Sequence, residues 1–246
     1  MNADEYTKMF QLEDRYWWFV GRRQLALSLL KSALKPSALE RPKVLDLGCG
    51  TGVVLRELQA WATPYGLDMS PLALRYCSQR GLNRTVIGDG ARMPIASNSV
   101  NAIIGLDIFE HIENDAAAFK ESFRVLKPEG VLVLSVPAFE SLWGPHDVAL
   151  MHFRRYRRPE LRSRLTDAGF EVKRIGYSVF FLFPLVVVWR FFEKRKKGPA
   201  QASLVQLPKW LNGALVGLQR VETALIGLVD LPIGSSVVAV ARKPSA

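Results

Sequence analysis

The sequence predicts a doubly wound α/β fold, in which helices cover both faces of a mostly parallel sheet. From Lys43 onward, short apolar runs alternate with segments of helix length. A glycine-rich turn joins the first apolar run to the first helix, and an aspartate stands at the end of each of the first four runs. Strands separated by helix-length segments require right-handed crossovers, so neighbouring strands run parallel.

The individual elements carry their own start and stop signals. Ser70 before Pro71 is typical of a helix N-cap followed by proline at the first helical position, and Gly169 suits a helix C-cap. We expect strands at 44–47, 64–68, 85–88, 100–106, 130–136, 170–177 and 235–241. Helices are expected at 53–61, 71–80, 114–126 and 158–168.

The pattern divides the chain into four parts. Residues 1–40 form a helical N-terminal cap that contains the aromatic segment YWWF at 16–19. The parts that follow are the alternating strands and helices of 41–177, an apolar and basic helical insertion at 178–234 between strands 6 and 7, and the final strand within 235–246.

The composition argues against several kinds of site. The two cysteines, Cys49 and Cys77, form no CxxC pair, and no histidines stand at ligand spacing, so neither a disulfide framework nor a metal site is expected. The first residues lack a basic segment followed by an apolar one, which argues against a secretory signal. These features favour a cytoplasmic protein.

The net charge of +10 is unevenly distributed along the chain. Residues 1–150 carry 16 Lys and Arg against 17 Asp and Glu, whereas residues 151–246 carry 17 against 6. This asymmetry favours an acidic partner for the last part, which would be anionic lipid, a phosphorylated substrate or nucleic acid. The alternative is a basic surface that is merely solvated.

The glycine turn is the first sign of a ligand site. Gly48, Gly50 and Gly52 alternate between a strand and a helix, where missing Cβ atoms let a ligand approach the backbone. A dinucleotide site also uses such a turn, but the spacing here departs from GxGxxG. Asp46 beside the turn would repel pyrophosphate and suits a ligand with ammonium and sulfonium groups. The sequence thus favours a cationic nucleoside.

Three further aspartates follow the next strands. Asp68 can accept hydrogen bonds from both ribose hydroxyls of a nucleoside, and Asp89 can accept one from an adenine amine. Asp107 follows the fourth strand. Four acids at one sheet edge repel one another, so a shared ligand explains them better than structure alone.

Five motifs between residues 40 and 140 carry a family resemblance: LDLGCGTG, GLDMS, GDGARMPIASNSVNAII, LDIFEHI and RVLKPEGVLVLSVP. With them the sequence resembles the class I S-adenosylmethionine-dependent methyltransferases, in the broad group that includes ubiquinone and menaquinone methylases. The resemblance implies a Rossmann-like seven-stranded sheet with an antiparallel last strand beside the sixth. It also implies that S-adenosyl-L-methionine is the cofactor.

The resemblance assigns positions along the cofactor. Asp46, Gly48 and Gly50 would line its methionine end, Asp68 its ribose and Asp89 its adenine. The full cofactor-binding set expected is Asp46, Gly48, Cys49, Gly50, Gly52, Asp68, Met69, Asp89, Gly90, Ala91, Asp107, Ile108 and His111. His111 would pack against or orient the cofactor rather than act as a base.

The acceptor side is less specific. A hydroxyl acceptor needs a base, and we expect His146 and His152, with Asp147 orienting one imidazole, to supply it. The alternative is that they are loop histidines that bond backbone or position the acceptor. Substrate binding is expected from Trp18, Arg22, Arg155 and Tyr156, although the arginine-rich turn at 154–158 is also consistent with an exposed, solvated segment.

The insertion begins with an apolar run of 11 residues at 179–189 and continues into a basic cluster at 193–197. A bilayer-spanning helix needs about 20 apolar residues, so this run suits an interfacial anchor better. A second amphipathic stretch lies at 209–228. Together they form a helical hairpin at a membrane or a lid over a lipidic acceptor; the alternative is a hydrophobic subdomain or a dimer interface.

We therefore expect a methyltransferase acting on a hydrophobic or lipid-linked small molecule at the inner face of the cell membrane. The YWWF and WGPHD…HFRRY segments resemble a subgroup associated with cell-envelope or lipid-glycan chemistry. The alternatives are an RNA methyltransferase and a non-catalytic scaffold or lipid-binding module. The long apolar runs among the basic residues argue against nucleic acid as the partner, and an oligomer stays open.

Overall fold

The computed structural model describes residues 3–34, 41–193 and 207–245, and these are built around a seven-stranded sheet. The strands are β1 (Lys43–Leu47), β2 (Thr63–Asp68), β3 (Thr85–Ile87), β4 (Val100–Leu106), β5 (Leu126–Pro137), β6 (Glu171–Ser178) and β7 (Ser236–Arg242). Their order in the sheet is β3-β2-β1-β4-β5-β7-β6. Strands β1 to β5 are parallel, and β7 is antiparallel to both β5 and β6, which confirms the predicted fold class.

Helices cover the sheet and its edge. They are α1 (Ala3–Leu12), α2 (Trp17–Ala33), α3 (Val53–Leu58), α4 (Pro71–Gln79), α5 (Asp115–Val125), α6 (Pro145–Ala149), α7 (Arg158–Asp167), α8 (Phe183–Glu193) and α9 (Lys209–Leu228). Ser70 caps α4 as predicted, because its hydroxyl accepts a hydrogen bond from the backbone N–H of Ala73. Helix α3 is shorter than predicted and gives way to a turn at 59–61.

Alternate residues of the strands pack on opposite faces of the sheet. Leu45 and Leu47 of β1 belong to a core that includes Phe119 of α5 and Leu161 of α7. Val44, on the other face, belongs to a core that α2 and α3 complete. Burial of both faces explains why these strands read as nearly continuous apolar runs.

The insertion leaves and re-enters the sheet at one edge. Pro137 at the end of β5 and Ser178 at the end of β6 both pair with Ser236 at the start of β7. The segment between β6 and β7 therefore begins and ends at the edge where β1, β2, β4 and β5 finish. Helix α9 packs along α2, where a Cβ atom at Gly21 would lie 2.7 Å from Cγ of Gln219.

The apolar run at 179–189 overlaps α8, and the amphipathic stretch at 209–228 forms α9. The basic cluster predicted at 193–197 lies mostly outside the described residues. Across the described ranges, no helix is both long enough and apolar enough to cross a bilayer. The division of the chain at residues 40, 177 and 234 stays a prediction.

Candidate functional site

The chain leaves β1 through a tight glycine loop. Gly48, Gly50 and Gly52 have φ angles of +72°, +52° and +88°, a region that L side chains rarely adopt. A Cβ atom at Gly48 would lie 2.6 Å from Cδ1 of Ile108. The loop is thus pressed against the residue that follows Asp107, and a side chain at this position would force the two apart.

Asp46 is buried beside this loop, and its Oδ2 atom has no hydrogen-bond partner among the described residues. Burial, together with the negative charges of Asp68 and Glu13, raises the pKa of Asp46 to about 8, although Arg22 partly offsets these effects. A buried carboxylate without a partner is unfavourable, so a cationic group of a ligand would stabilise it.

Asp68 lies at the end of β2, next to the glycine loop. Its Oδ2 atom accepts a hydrogen bond from the backbone N–H of Gly50 (2.9 Å), and its Oδ1 atom accepts one from the backbone N–H of Ser70 (2.9 Å). The hydroxyl of Tyr6 in α1 also donates to Oδ1 (3.3 Å). Burial and the charge of Asp68 raise the pKa of Tyr6, which keeps this hydroxyl a donor.

Helix α1 lies directly over the glycine loop. A Cβ atom at Gly50 would lie 2.7 Å from the methyl group of Met9. Glu13, which follows α1, accepts hydrogen bonds from the hydroxyl of Thr51 and from Arg80, the latter at 2.7 Å. These contacts close one side of the site, and no motif in the sequence predicts them.

Asp107 ends the run of acids along this edge. Its φ of +50° is unusual for a residue other than glycine and indicates backbone strain at the end of β4. Arg22 of α2 forms an ion pair with one carboxylate oxygen of Asp107, and the other oxygen is buried without a partner in the described part of the chain. The side chain of Arg22 therefore links α2 to the acidic edge formed by the strand ends.

The remaining residues of the predicted cofactor set line the outer end of this edge. Met69 is exposed, and so is Asp89, whose Oδ1 atom accepts a hydrogen bond from the backbone N–H of Ala91 (2.9 Å). Gly90 is buried. A Cβ atom there would lie 2.8 Å from Cδ1 of Ile112, so the position has no room for a side chain.

The loop after β5 folds around one buried carboxylate. Asp147 is fully buried and accepts hydrogen bonds from Nδ1 of His152, from Nε and Nη2 of Arg155, and from the backbone N–H of Gly144, all at 2.9 Å. Burial alone would raise its pKa, but the hydrogen bonds from His152 and Arg155 outweigh this and hold the pKa well below its usual range. Asp147 thus fixes the orientation of the His152 imidazole, and a catalytic role for the pair stays a prediction.

The three histidines lie close together. The ring centroid of His152 lies 4.6 Å from that of His111 and 6.5 Å from that of His146. Burial, followed by the nearby charge of His152, lowers the pKa of His111 to about 3. Burial and Arg190 lower the pKa of His146 to about 4, so both rings are neutral at physiological pH.

Two of the four residues expected to bind substrate have inward-facing polar groups. The guanidinium of Arg155 donates hydrogen bonds to Asp147 and to the backbone oxygen of Ala138 (3.0 Å). The hydroxyl of Tyr156 donates to Asp115 (2.9 Å). Trp18 is half-buried at the start of α2, with its ring against Trp17. A substrate-binding role for Arg155 and Tyr156 stays a prediction, and this geometry favours a supporting role instead.

Comparison with known proteins identifies this arrangement. Residues 45–134 match the family described as a methyltransferase domain. A probable S-adenosylmethionine-dependent methyltransferase of Mycolicibacterium smegmatis is 32% identical over 135 residues, which cover 53% of this chain and 52% of that protein. The demethylmenaquinone methyltransferase of Corynebacterium glutamicum is 31% identical over 146 residues, or 56% of this chain and 58% of that protein. The chain carries a class I S-adenosylmethionine-dependent methyltransferase domain.

A solved structure supports the fold of this methyltransferase domain. Phosphoethanolamine N-methyltransferase 2 of Haemonchus contortus, in complex with S-adenosyl-L-methionine, superposes with a TM-score of 0.60 at 16% identity, covering 90% of this chain and 53% of that one. The chain spans about half the length of the curated relatives it matches.

S-adenosyl-L-methionine is the cofactor of this domain, and the acidic edge fits it. The unpartnered oxygen of Asp46 is a buried acceptor, and the ammonium or the sulfonium of the cofactor would be a suitable partner for it. The glycine loop leaves room for the backbone to approach it, and Asp68 retains acceptor capacity for ribose hydroxyls. The individual contacts of the predicted set stay predictions.

Sequence reasoning missed Glu110. It stands within the LDIFEHI motif, is fully buried, and neither carboxylate oxygen has a hydrogen-bond partner in the described ranges. One ligand atom each from Glu110, His111 and His152 lie within 4.8 Å of one another. The expected absence of a metal site rested on histidine spacing in the sequence, whereas this cluster joins residues that are distant in the chain. The adjacent Glu–His pair was the only available signal.

Proposed function

We propose that this chain is an S-adenosylmethionine-dependent methyltransferase whose acceptor is a hydrophobic or lipid-linked small molecule at the cytoplasmic face of the membrane. The observation that carries the proposal is a mostly apolar cavity of about 360 Å³ at the end of the sheet. Its lining residues are Phe139, Ser141, Leu142, Phe183, Val187, Arg190, Phe191 and Ile233.

The position of the cavity relates it to the acidic edge. Phe139 follows the end of β5 and Ile233 precedes the start of β7, so both belong to the edge where the cofactor residues lie. Arg190 of α8 donates to Glu193 (2.8 Å) and lies 4.0 Å from Oδ2 of Asp147. The cavity and the histidine loop therefore share a wall, and an apolar acceptor in the cavity can direct its polar end toward the histidines.

The exposed face of α8 supports a membrane location. Leu185, Val188 and Phe192 are large apolar side chains with more than half of their surface exposed. In the sequence, α8 runs directly into Lys194, the first of four consecutive basic residues. An aromatic and aliphatic helix followed by a basic cluster suits the headgroup region of an anionic leaflet.

When bound, the cofactor supplies an activated methyl group on a sulfonium. The acids hold this cation and the glycine loop positions it, so that positioning provides a large part of the rate. His146 and His152, with Asp147 as the orienting carboxylate, are the candidates for accepting the proton of a hydroxyl acceptor. The name of the Corynebacterium relative gives demethylmenaquinone as its acceptor, which is an apolar molecule and so favours the same class here.

Mass spectrometry tests the acceptor class. Lipid and polar extracts of cells lacking the protein are compared with extracts of the parent, and the missing product is replaced by a species lighter by one CH₂ group. The purified full-length chain should methylate that lipid-fraction species with a labelled methyl donor. A methylated product found only in the polar fraction or in RNA would contradict the proposal.

Vesicle flotation tests the membrane location. We expect the full-length chain to float with anionic vesicles, and a Leu185→Glu, Phe192→Glu double variant to stay at the bottom of the gradient. Ile87→Glu is the control, because it places a charge on an exposed apolar side chain of β3, outside the insertion. Equal flotation of all three proteins, or of none, would overturn the location.

A further inference from the structure

Three potential metal ligands meet beneath the cofactor edge. Glu110 and His111 lie in a short 3-10 helix after β4, and His152 lies in the loop after α6. A hydrogen bond from the backbone N–H of Phe153 to the backbone oxygen of Glu110 (2.8 Å) holds the two segments together. Ligand atoms within 4.8 Å of one another are close enough for modest side-chain rotation to bring them around one ion.

Glu110 supplies the second, independent observation. It is fully buried, and both of its carboxylate oxygens lack a hydrogen-bond partner among the residues that the structure describes. Native proteins rarely leave a buried carboxylate in this state, because an unpaired charge or acceptor in the interior is strongly unfavourable. A cation bound between Glu110 and the two histidines removes this penalty.

Both histidines are held in orientations that suit metal binding. Nδ1 of His152 donates to Asp147, which leaves the Nε2 lone pair as the one that can bind an ion. The ring of His111 hydrogen-bonds to the backbone of Leu150 and Met151. Metal-binding histidines are typically fixed in this way by a carboxylate or a backbone carbonyl on the nitrogen that does not bind the ion.

We propose that Glu110, His111 and His152 form a binding site for one divalent transition-metal ion of the zinc class. Two imidazoles and one carboxylate leave a coordination position open for an oxygen of another molecule. The preceding residues, Asp107 and Ile108, border the cofactor edge, so an ion held here would lie next to that edge. As a further step that rests on the proposed function, the acceptor atom is an oxygen, which the ion binds and renders more acidic.

This site and a general-base role for His152 exclude each other, because the ion occupies the lone pair that a base would use. With the ion bound, His152 is a ligand that Asp147 positions. Metal content therefore decides between the two roles of the same side chain.

The test is zinc binding to the full-length chain. After chelator treatment and dialysis, Zn²⁺ is titrated calorimetrically into the parent protein and into Glu110→Gln, His111→Gln and His152→Gln variants. We expect one ion per chain for the parent and more than about 100-fold weaker binding for each variant, since even the outer partners of a ligand are worth about 10- to 100-fold in affinity. His146→Gln, a histidine outside the cluster, should bind like the parent.

Thermal unfolding and cofactor binding serve as controls. Glu110→Gln keeps the side-chain shape and leaves this buried position uncharged, so without metal it should unfold near the parent's temperature, and only the parent and His146→Gln should gain stability with Zn²⁺. Absence of stoichiometric zinc, or equal binding by Glu110→Gln, would overturn the site. Cofactor binding without zinc binding would refute the metal site alone, whereas zinc binding without any methyl transfer would refute the proposed function alone.

Discussion

Nδ1 of His152 lies 2.9 Å from Oδ1 of Asp147, a fully buried carboxylate that also forms an ion pair with Arg155. One carboxylate thus sets the direction of an imidazole and neutralises a buried guanidinium. The loop after β5 depends on it, because the other hydrogen bond of the Arg155 guanidinium within the described ranges goes to the backbone oxygen of Ala138, and the backbone N–H of Arg155 donates to Glu140.

Asp147→Asn should therefore lower the free energy of unfolding by about 3 to 5 kcal/mol, since it leaves Arg155 as an unpaired buried charge. Because the pKa of Asp147 is depressed in the folded state, its contribution is present above the usual pKa of an aspartate and is lost as the pH falls. Urea unfolding at neutral and acidic pH measures both effects. Asp167→Asn, which changes an exposed carboxylate of α7, should shift stability by less than about 0.5 kcal/mol, and a similar loss in both variants would contradict the assignment.

Asp46 should make cofactor binding pH-dependent. With a pKa of about 8 it is mostly protonated at neutral pH in the free chain, and a bound cation favours the ionised form. The affinity for S-adenosyl-L-methionine should rise as the pH approaches 8, with release of a proton that calorimetry detects in buffers of different ionisation enthalpy. Asp46→Asn should bind more weakly and lose this part of the proton release. Identical proton release by both proteins would place the titration on the ligand instead.

The same raised pKa has the opposite consequence for the stability of the free chain. The unfolded chain ionises Asp46 at lower pH than the folded chain does, so stability declines as the pH rises from the usual pKa of an aspartate to about 8, and it levels off above that. Asp46→Asn should abolish this decline. The expected sign follows from burial alone, and thermal unfolding between pH 6 and about 9 without cofactor would reveal it.

Tyr6 should slow cofactor release. Its hydroxyl links α1 to Asp68, and a typical hydrogen bond contributes about 1 kcal/mol, which corresponds to roughly fivefold in a rate. Tyr6→Phe should therefore release the cofactor about fivefold faster in stopped-flow measurements. Lys8→Ala, on the exposed side of α1, is the control and should leave the rate unchanged. Unchanged release in Tyr6→Phe would mean that α1 does not move during exchange.

The apolar cavity offers a prediction with a closely matched control. Val187 lines the cavity, whereas Val188 is exposed next to it on α8. Val187→Trp should fill the space and raise KM for the acceptor at least about tenfold, equivalent to about 1.4 kcal/mol, without changing the affinity for the cofactor. Val188→Trp should leave KM within about twofold of the parent value. Equal effects of the two variants on KM would show that the acceptor does not bind in this cavity.

Local signals explain why the fold and the cofactor edge could be predicted. The glycine turn, the cap at Ser70 and the acid after each strand all lie within a few residues of the element they define. The expected sheet, including its antiparallel last strand, was confirmed. Helix ends differed by a few residues, as in α3, where the turn at 59–61 depends on tertiary contacts.

The acceptor side could not be predicted as well, because its properties depend on long-range contacts. Arg155 looks like an exposed substrate-binding residue in the sequence, and only the fold of the loop shows that Asp147 and Ala138 engage it. Glu110 and His152 lie far apart in the chain and meet through the pairing of their loops. The hydrogen bonds of Tyr6 with Asp68 and of Glu13 with Thr51 likewise correspond to no periodic pattern in the sequence.

The attachment of the insertion has an evolutionary consequence. Seven register positions pair β6 with β7, and the insertion starts and ends at one edge of this pair, so its length and chemistry can change while the strands stay in place. The cofactor acids lie on β1 to β4, on the other half of the sheet. Selection can therefore change the insertion without rebuilding methyl-donor recognition, and under the proposed function chimaeras joined at Ser178 and Ser236 should inherit the acceptor preference of the protein that supplied the insertion.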